Sequence, residues 1–200
     1  MTFRSRLATA AMCIGLLALL SPRALRAENL VLNGGFETGD LTDWTLTPAE
    51  FFSDINVGGT GNNPNSGSFS ANFGAGGGEY DTISQTVNTA DGVSYTLSFW
   101  LADTFPIGND GIVDFQAIWD GVIVDDIATI GNYPYTEYTI NVTGTGSDTL
   151  SFAGANDPSF TNLDDISLST ATPEPSSLYL LGTGLMGLCL CGLIRRRQRA

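Results

Sequence analysis

The sequence predicts an all-β exported domain, an antiparallel β-sandwich, set between two terminal segments of different character. Three observations carry this reading. Between residues 28 and 170 no stretch keeps a helical apolar period, while several short runs alternate apolar and polar side chains. Clusters of Gly, Asn, Asp and Pro separate these runs, as turns between strands do. Both ends of the 200-residue chain carry apolar runs flanked by arginine, and the middle carries no basic residue.

Taken in order, residues 1–27 read as a secretory signal peptide. Arg4 and Arg6 precede an apolar run at 7–20, Ser21-Pro22 breaks it, and cleavage is expected after Ala27. Residues 28–170 are long enough for one domain with its own core. Its first strand is expected at 29–37, with Leu30 and Leu32 on one face and Gly34-Gly35 as an interruption. Strands at 43–46 and 51–57 follow, and Trp44 reads as a core anchor. Residues 58–78 are the least regular part, with one short strand at 68–73. The strongest signal lies at 82–88 and 93–102, joined by a turn at 90–92. There Ile83, Gln85 and Val87 share one face, as do Val93, Tyr95, Leu97, Phe99 and Leu101. Trp100 falls on the polar face, where an aromatic either stacks on a sugar ring or covers a neighbouring strand. Strands at 112–119 and 122–127 flank Asp120-Gly121, a two-residue hairpin signature of the I′ type. Strands at 135–142, 150–153 and 163–169 complete a set of about nine or ten.

Charge is partitioned along the chain. All eight basic residues are arginines near the ends, and all 21 acidic residues fall between Glu28 and Glu174. Such a domain excludes nucleic acid, phosphate groups and anionic lipid as ligands, because nothing can neutralise a phosphate. It remains compatible with neutral glycans and divalent cations. Cys13, Cys189 and Cys191 all lie outside the domain, which therefore has no disulfide and no thiol chemistry. Without His, Cys, Lys or Arg it also has no Ser–His triad and no phosphoryl clamp. A carboxylate pair is the remaining catalytic route. The pairs Asp125-Asp126 and Asp164-Asp165 are adjacent in strands, so their side chains are expected on opposite faces. We therefore expect no enzyme. Any metal would be a hard, oxygen-liganded cation, with Ca²⁺ the default. Strand parity places Asp164 with Ile166 and Leu168, inward if they are core, where a carboxylate needs a cation or several donors.

The last thirty residues read as an address. Pro173-Glu174-Pro175 is a stiff extended motif, 178–194 is an uncharged apolar run, and Arg195, Arg196, Arg197 and Arg199 form a basic end. As a helix the run would span about 25 Å, near the lower limit for crossing a bilayer, with the arginines cytoplasmic. This tail, 171–200, resembles the PEP-CTERM sorting tail of exported bacterial proteins, with Thr172 where Val is usual. The resemblance implies that an exosortase-type membrane transpeptidase recognises Pro173, Glu174 and Pro175. The precursor would be membrane-anchored, then delivered to the cell surface or matrix, with a role alongside exopolysaccharide in biofilm.

The domain carries a second resemblance. Residues 29–40 (Asn-Leu-Val-Leu-Asn-Gly-Gly-Phe-Glu-Thr-Gly-Asp) with Trp44, the strands at 83–87 and 92–99, and Asn162-Leu163-Asp164-Asp165-Ile166-Ser167-Leu168 are similar to galactose-binding-like jelly-roll domains. Many of these are carbohydrate-binding modules. The resemblance implies a jelly-roll fold and a structural calcium held by Glu37 with Asp164 and Asp165. Sugar-contacting residues do not transfer by motif; Trp100 and Trp119 stand as candidate ligand contacts, with core packing the alternative for Trp119. Against a glycan-binding reading stand a glycoside-cleaving enzyme and an adhesive or ice-binding surface protein.

Overall fold

The computed structural model describes residues 28–103, 113–128 and 133–170, together with Gly184. The expected signal peptide, the sorting motif, the apolar run at 178–194 apart from Gly184, and the terminal arginines lie outside the described residues. Among the described residues no helix is long and apolar enough to cross a membrane. Residues 28–171 form one compact unit.

Among the described residues, ten strands build two five-stranded antiparallel sheets. The strands are β1 (Thr45–Thr47), β2 (Ile55–Val57), β3 (Ala71–Phe73), β4 (Asp81–Asn88), β5 (Ser94–Asp103), β6 (Val113–Trp119), β7 (Val122–Ala128), β8 (Tyr133–Thr143), β9 (Ser147–Asn156) and β10 (Thr161–Thr170). Sheet A has the order β1-β4-β9-β6-β7 and sheet B the order β2-β3-β10-β5-β8. This is the expected jelly-roll sandwich. Alternation along β4 and β5 sends Ile83, Val87, Leu97, Phe99 and Leu101 into the core. There Phe99 and Phe152 meet edge-on at 5.1 Å, and Phe73 and Phe115 at 5.3 Å. The β6–β7 hairpin has the expected I′ turn, with φ of 49° at Asp120 and 76° at Gly121.

The opening segment departs from expectation. Residues 29–37 form turns rather than a strand. A side chain does the work of a strand partner: Gln85 of β4 accepts from the Leu32 N–H (2.8 Å) and donates to the Leu32 and Asp43 carbonyls (3.0 and 2.9 Å). Gly34 packs so closely on the Ile166 carbonyl that a Cβ there would collide with it. Trp44 is the anchor expected, buried between Phe36 and Phe152, with its Nε1–H on the Asn33 carbonyl at 3.2 Å. The segment 51–57 is also mostly loop, and only 55–57 pair with β3. The carboxylate of Asp81 gathers that loop, accepting from Ala49, Ser53 and Asp54.

Candidate functional site

The outer face of sheet B has two halves. Over one half lies the loop 58–70, held by a ladder of amides. Asn162 donates to the Gly61 carbonyl (2.7 Å) and to Asn72 Oδ1 (2.6 Å), and Asn72 donates to Asn56 Oδ1 (3.0 Å). Asn62 joins from the loop side, accepting from the Ser70 N–H at 3.0 Å and donating to the Ser68 carbonyl at 3.1 Å. Tyr135 of β8 closes the cover by donating to the Asn63 carbonyl at 2.5 Å.

The other half is open. Register puts Ser98 between Thr139 and Ser167, and Thr96 between Asn141 and Ser169. These six side chains are exposed or half-buried, and none is charged, in a domain otherwise rich in carboxylates. Between the halves runs one mixed row: Asp164, Trp100 and Glu137, directly opposed across β10, β5 and β8. It grades from covered to open, with Asp164 fully buried, Trp100 half-buried and Glu137 exposed. Trp100 is therefore the aromatic expected on the polar face. Trp119 is not available for a ligand. It is buried in the core, with its Nε1–H on the Thr143 carbonyl at 3.2 Å. Of its two alternatives the structure shows packing: Trp119 lies beside Leu150 of β9 on the inward face of sheet A.

The acidic corner corrects the parity argument. Asp164 is fully buried, but on the outer face beneath the loop, not in the core. The ladder slips between Asp164 and Ser167, and Asp165 takes φ of 48°. This bulge inserts one residue, so Ile166 and Leu168 return inward while Asp164 stays with Trp100. It also brings Asp164 and Asp165 to one side, against the expectation of opposite faces. Both grip the same two residues. Asp164 Oδ2 accepts from the Asn65 and Ser66 N–H groups (2.8 and 3.1 Å), and its Oδ1 from the Asp165 N–H (2.7 Å). Asp165 accepts from Asn65 Nδ2 (2.9 Å) and Ser66 Oγ (2.8 Å). Glu37 Oε1 holds the next turn of the loop, through the Ser68 and Phe69 N–H groups (2.9 and 3.1 Å). Burial pushes the Asp164 carboxyl up to about 6, against the pull of these amide donors.

For a calcium ion this set fits in part. Asp164 Oδ1 and Asp165 Oδ1 both face the place where a Gly35 Cβ would stand, at 3.7 and 3.6 Å from it, and all donors are oxygen. Glu37 does not join them, because its carboxylate is turned to Ser68 and Phe69. Among the described residues no three acidic side chains are close enough to hold a metal together. Of the two alternatives that parity left for a buried carboxylate, a cation or several donors, backbone amide donors are present here.

The end of the sandwich that carries the loops 48–54, 74–80 and 157–160 shows what sequence reading missed. Phe51 and Phe52 are exposed there, Phe51 at 84%. The Phe51 N–H is held by Glu79 Oε2 at 2.7 Å, and its ring lies over Gly77. The adjacent pair, followed by the alternating Ile55-Asn56-Val57, reads with it as one strand at 51–57, which hides the exposure of both rings. Nearby Tyr80 donates to Asp114 Oδ2 at 2.6 Å, which raises the phenol to about 12.

With this geometry the chain can be placed among known proteins. The PEP-CTERM protein-sorting motif matches residues 171–197, so the chain carries the sorting tail of an exported protein. The sandwich has the fold of carbohydrate-binding modules. TmCBM61, solved with β-1,4-galactotriose, superposes with a TM-score of 0.54 at 20% identity over 72% of this chain and 99% of its own. The C-terminal family 22 carbohydrate-binding module of Clostridium thermocellum Xyn10B gives 0.50 at 16% identity, over 72% and 99%. The enzymatically active domain of bacteriophage CBA120 tailspike protein 4 gives 0.54 at 18%, over 71% of this chain and 21% of its own. None of the curated proteins compared with it matches the chain.

Proposed function

We propose that this is a non-enzymatic, glycan-binding protein of the bacterial surface or matrix, cut from its membrane-anchored precursor by an exosortase-type transpeptidase that recognises Pro173-Glu174-Pro175. The observation that carries the glycan reading is the open half of sheet B, an uncharged floor of hydroxyl and amide groups bordered by Trp100. A neutral pyranose offers hydroxyls to such a floor and an apolar face to an indole ring. An acidic polysaccharide would meet only like charge, because residues 28–170 contain no basic residue. The reading without catalysis is supported by the way the Asp164–Asp165 corner is used. Three of their four oxygens hold the loop, and the fourth, Asp164 Oδ1, accepts from the Asp165 N–H. Ca²⁺ would be held at this corner by Asp164 and Asp165, in exchange for some of these hydrogen-bond donors.

The test is a glycan array on the domain 28–170, followed by affinity measurement and a reducing-sugar assay on each hit. Binding to neutral glycans without sugar release is expected. Trp100→Ala should weaken it at least about tenfold, ~1.4 kcal/mol. Sugar release would favour the glycosidase, and undiminished binding by the variant would remove the sheet face from the account.

A further inference from the structure

Both ends of the domain leave from one pole of the sandwich. The Leu30 N–H donates to the Leu168 carbonyl at 2.8 Å, and Asn29 Oδ1 accepts from the Leu168 N–H at 2.9 Å. Asn29 and the end of β10 thus lie together, beside the turns that join β4 to β5 and β8 to β9. Those turns are locked to each other: the Gly92 N–H donates to the Gly144 carbonyl (2.9 Å), and the Gly144 N–H to the Val93 carbonyl (2.8 Å). The Asp120-Gly121 hairpin turn belongs to the same pole, and the loops bearing Phe51 to the opposite one.

β10 cannot peel away to lengthen the exit. It pairs with β5 as far as Thr170↔Tyr95, and Leu163, Ile166 and Leu168 are buried in the core. Thr170 is therefore fixed while the sandwich is folded. Pro173 is the third residue beyond it. Even fully extended, three residues reach only about 10 Å. An enzyme whose cleft closes around Pro173-Glu174-Pro175 must touch the folded domain. Leu178 is the eighth residue beyond Thr170, a reach of at most about 28 Å to the start of the apolar run.

We infer that this pole, formed by the turns at 90–93 and 144–146 with the Asp120-Gly121 hairpin, is a docking surface for the membrane enzyme that processes the tail. The inference rests on the sorting reading of the motif. The surface it offers is small and acidic: Gly92, Gly144 and Gly146 keep the turns low, and Glu28, Asp91 and Asp120 are exposed on it. The complementary partner surface is donor-rich or cationic, close to the mouth of the cleft.

The test uses the full-length precursor with a C-terminal tag, in a host that processes such tails, and follows loss of the tag by pulse-chase. Asp91 is exposed on the turn, so Asp91→Trp adds bulk to the pole without touching the core. With the native tether this variant should be processed at least about fivefold more slowly. A six-residue Gly/Ser spacer inserted after Thr170 should restore the native rate to the same variant, since the cleft no longer needs the pole. An unchanged rate for Asp91→Trp would overturn the docking surface, and so would slow processing that the spacer fails to restore. Glu174→Ala is read separately: processing that survives it removes the sorting reading itself, whatever the pole does.

Discussion

At the scale of single residues, Asp164 is where chemistry and context diverge most. The sequence showed correctly that its carboxylate would be buried and would need donors. It placed the residue on the wrong face, because one left-handed residue, Asp165, resets the alternation, and nothing in Asp-Asp-Ile announces a bulge. Trp119 shows the reverse case, an aromatic whose alternatives only packing could separate. The raised carboxyl of Asp164 has a consequence for stability. Its folded value of about 6 lies above the ordinary value of 3.8. The proton is bound more tightly in the folded state, so the stabilisation is full below about 4 and is lost as pH rises through 6. The whole effect is about 3 kcal/mol, from ~1.36 kcal/mol per pH unit. Between pH 4 and 7 the wild-type domain should lose more unfolding free energy than Asp164→Asn, measured by urea titration at each pH. At pH 7, Ca²⁺ should raise the melting midpoint of the wild type and not of Asp164→Asn. Parallel pH profiles for the two proteins would contradict the burial argument.

At the scale of elements, the long strands were legible and the short ones were not. β4 and β5 each bury one face, and period two shows this directly. β1, β2 and β3 have three residues each, too few for a period of two to stand out, and owe their pairing to distant strands. The opening segment is the clearest instance. Its apolar alternation suggested a strand, but Leu32 and Asp43 are held by the side chain of Gln85, not by a neighbouring backbone. Gln85 therefore acts as a splice between the turns at 29–37 and sheet A. Gln85→Leu keeps the volume and removes all three hydrogen bonds, leaving the Leu32 and Asp43 backbone groups without partners. It should cost about 2–3 kcal/mol, read as a fall in the urea midpoint with an unchanged slope. A neutral effect would show that water replaces the amide. The open floor on sheet B was half legible: the hydroxyl alternation of β5 was visible, but its partners on β8 and β10 depend on register.

For the molecule as a whole, charge is the property the sequence displayed most fully. No Lys, Arg or His stands between Glu28 and Glu174, so among residues 28–170 no side-chain ion pair can form within the sandwich to offset its carboxylates. Their mutual repulsion is a standing cost that counter-ions reduce. Raising NaCl from about 0.02 M to about 0.5 M shortens the screening length from roughly 20 Å to roughly 4 Å. The melting midpoint should rise over that range by several degrees, in the absence of divalent cations. A flat response would mean that the carboxylates are too far apart, or too well hydrogen-bonded, to feel one another.

The amide ladder beneath the loop 58–70 stands apart from all of this. Asn56, Asn62, Asn72 and Asn162 carry no proton that leaves at any natural pH and no charge that salt can weaken. A protein sent out of the cell gives up the constant acidity and salinity of the cytoplasm. Its acidic corner will follow the weather outside, while the neutral latch across the same sheet keeps the wall of the proposed binding floor in place through it.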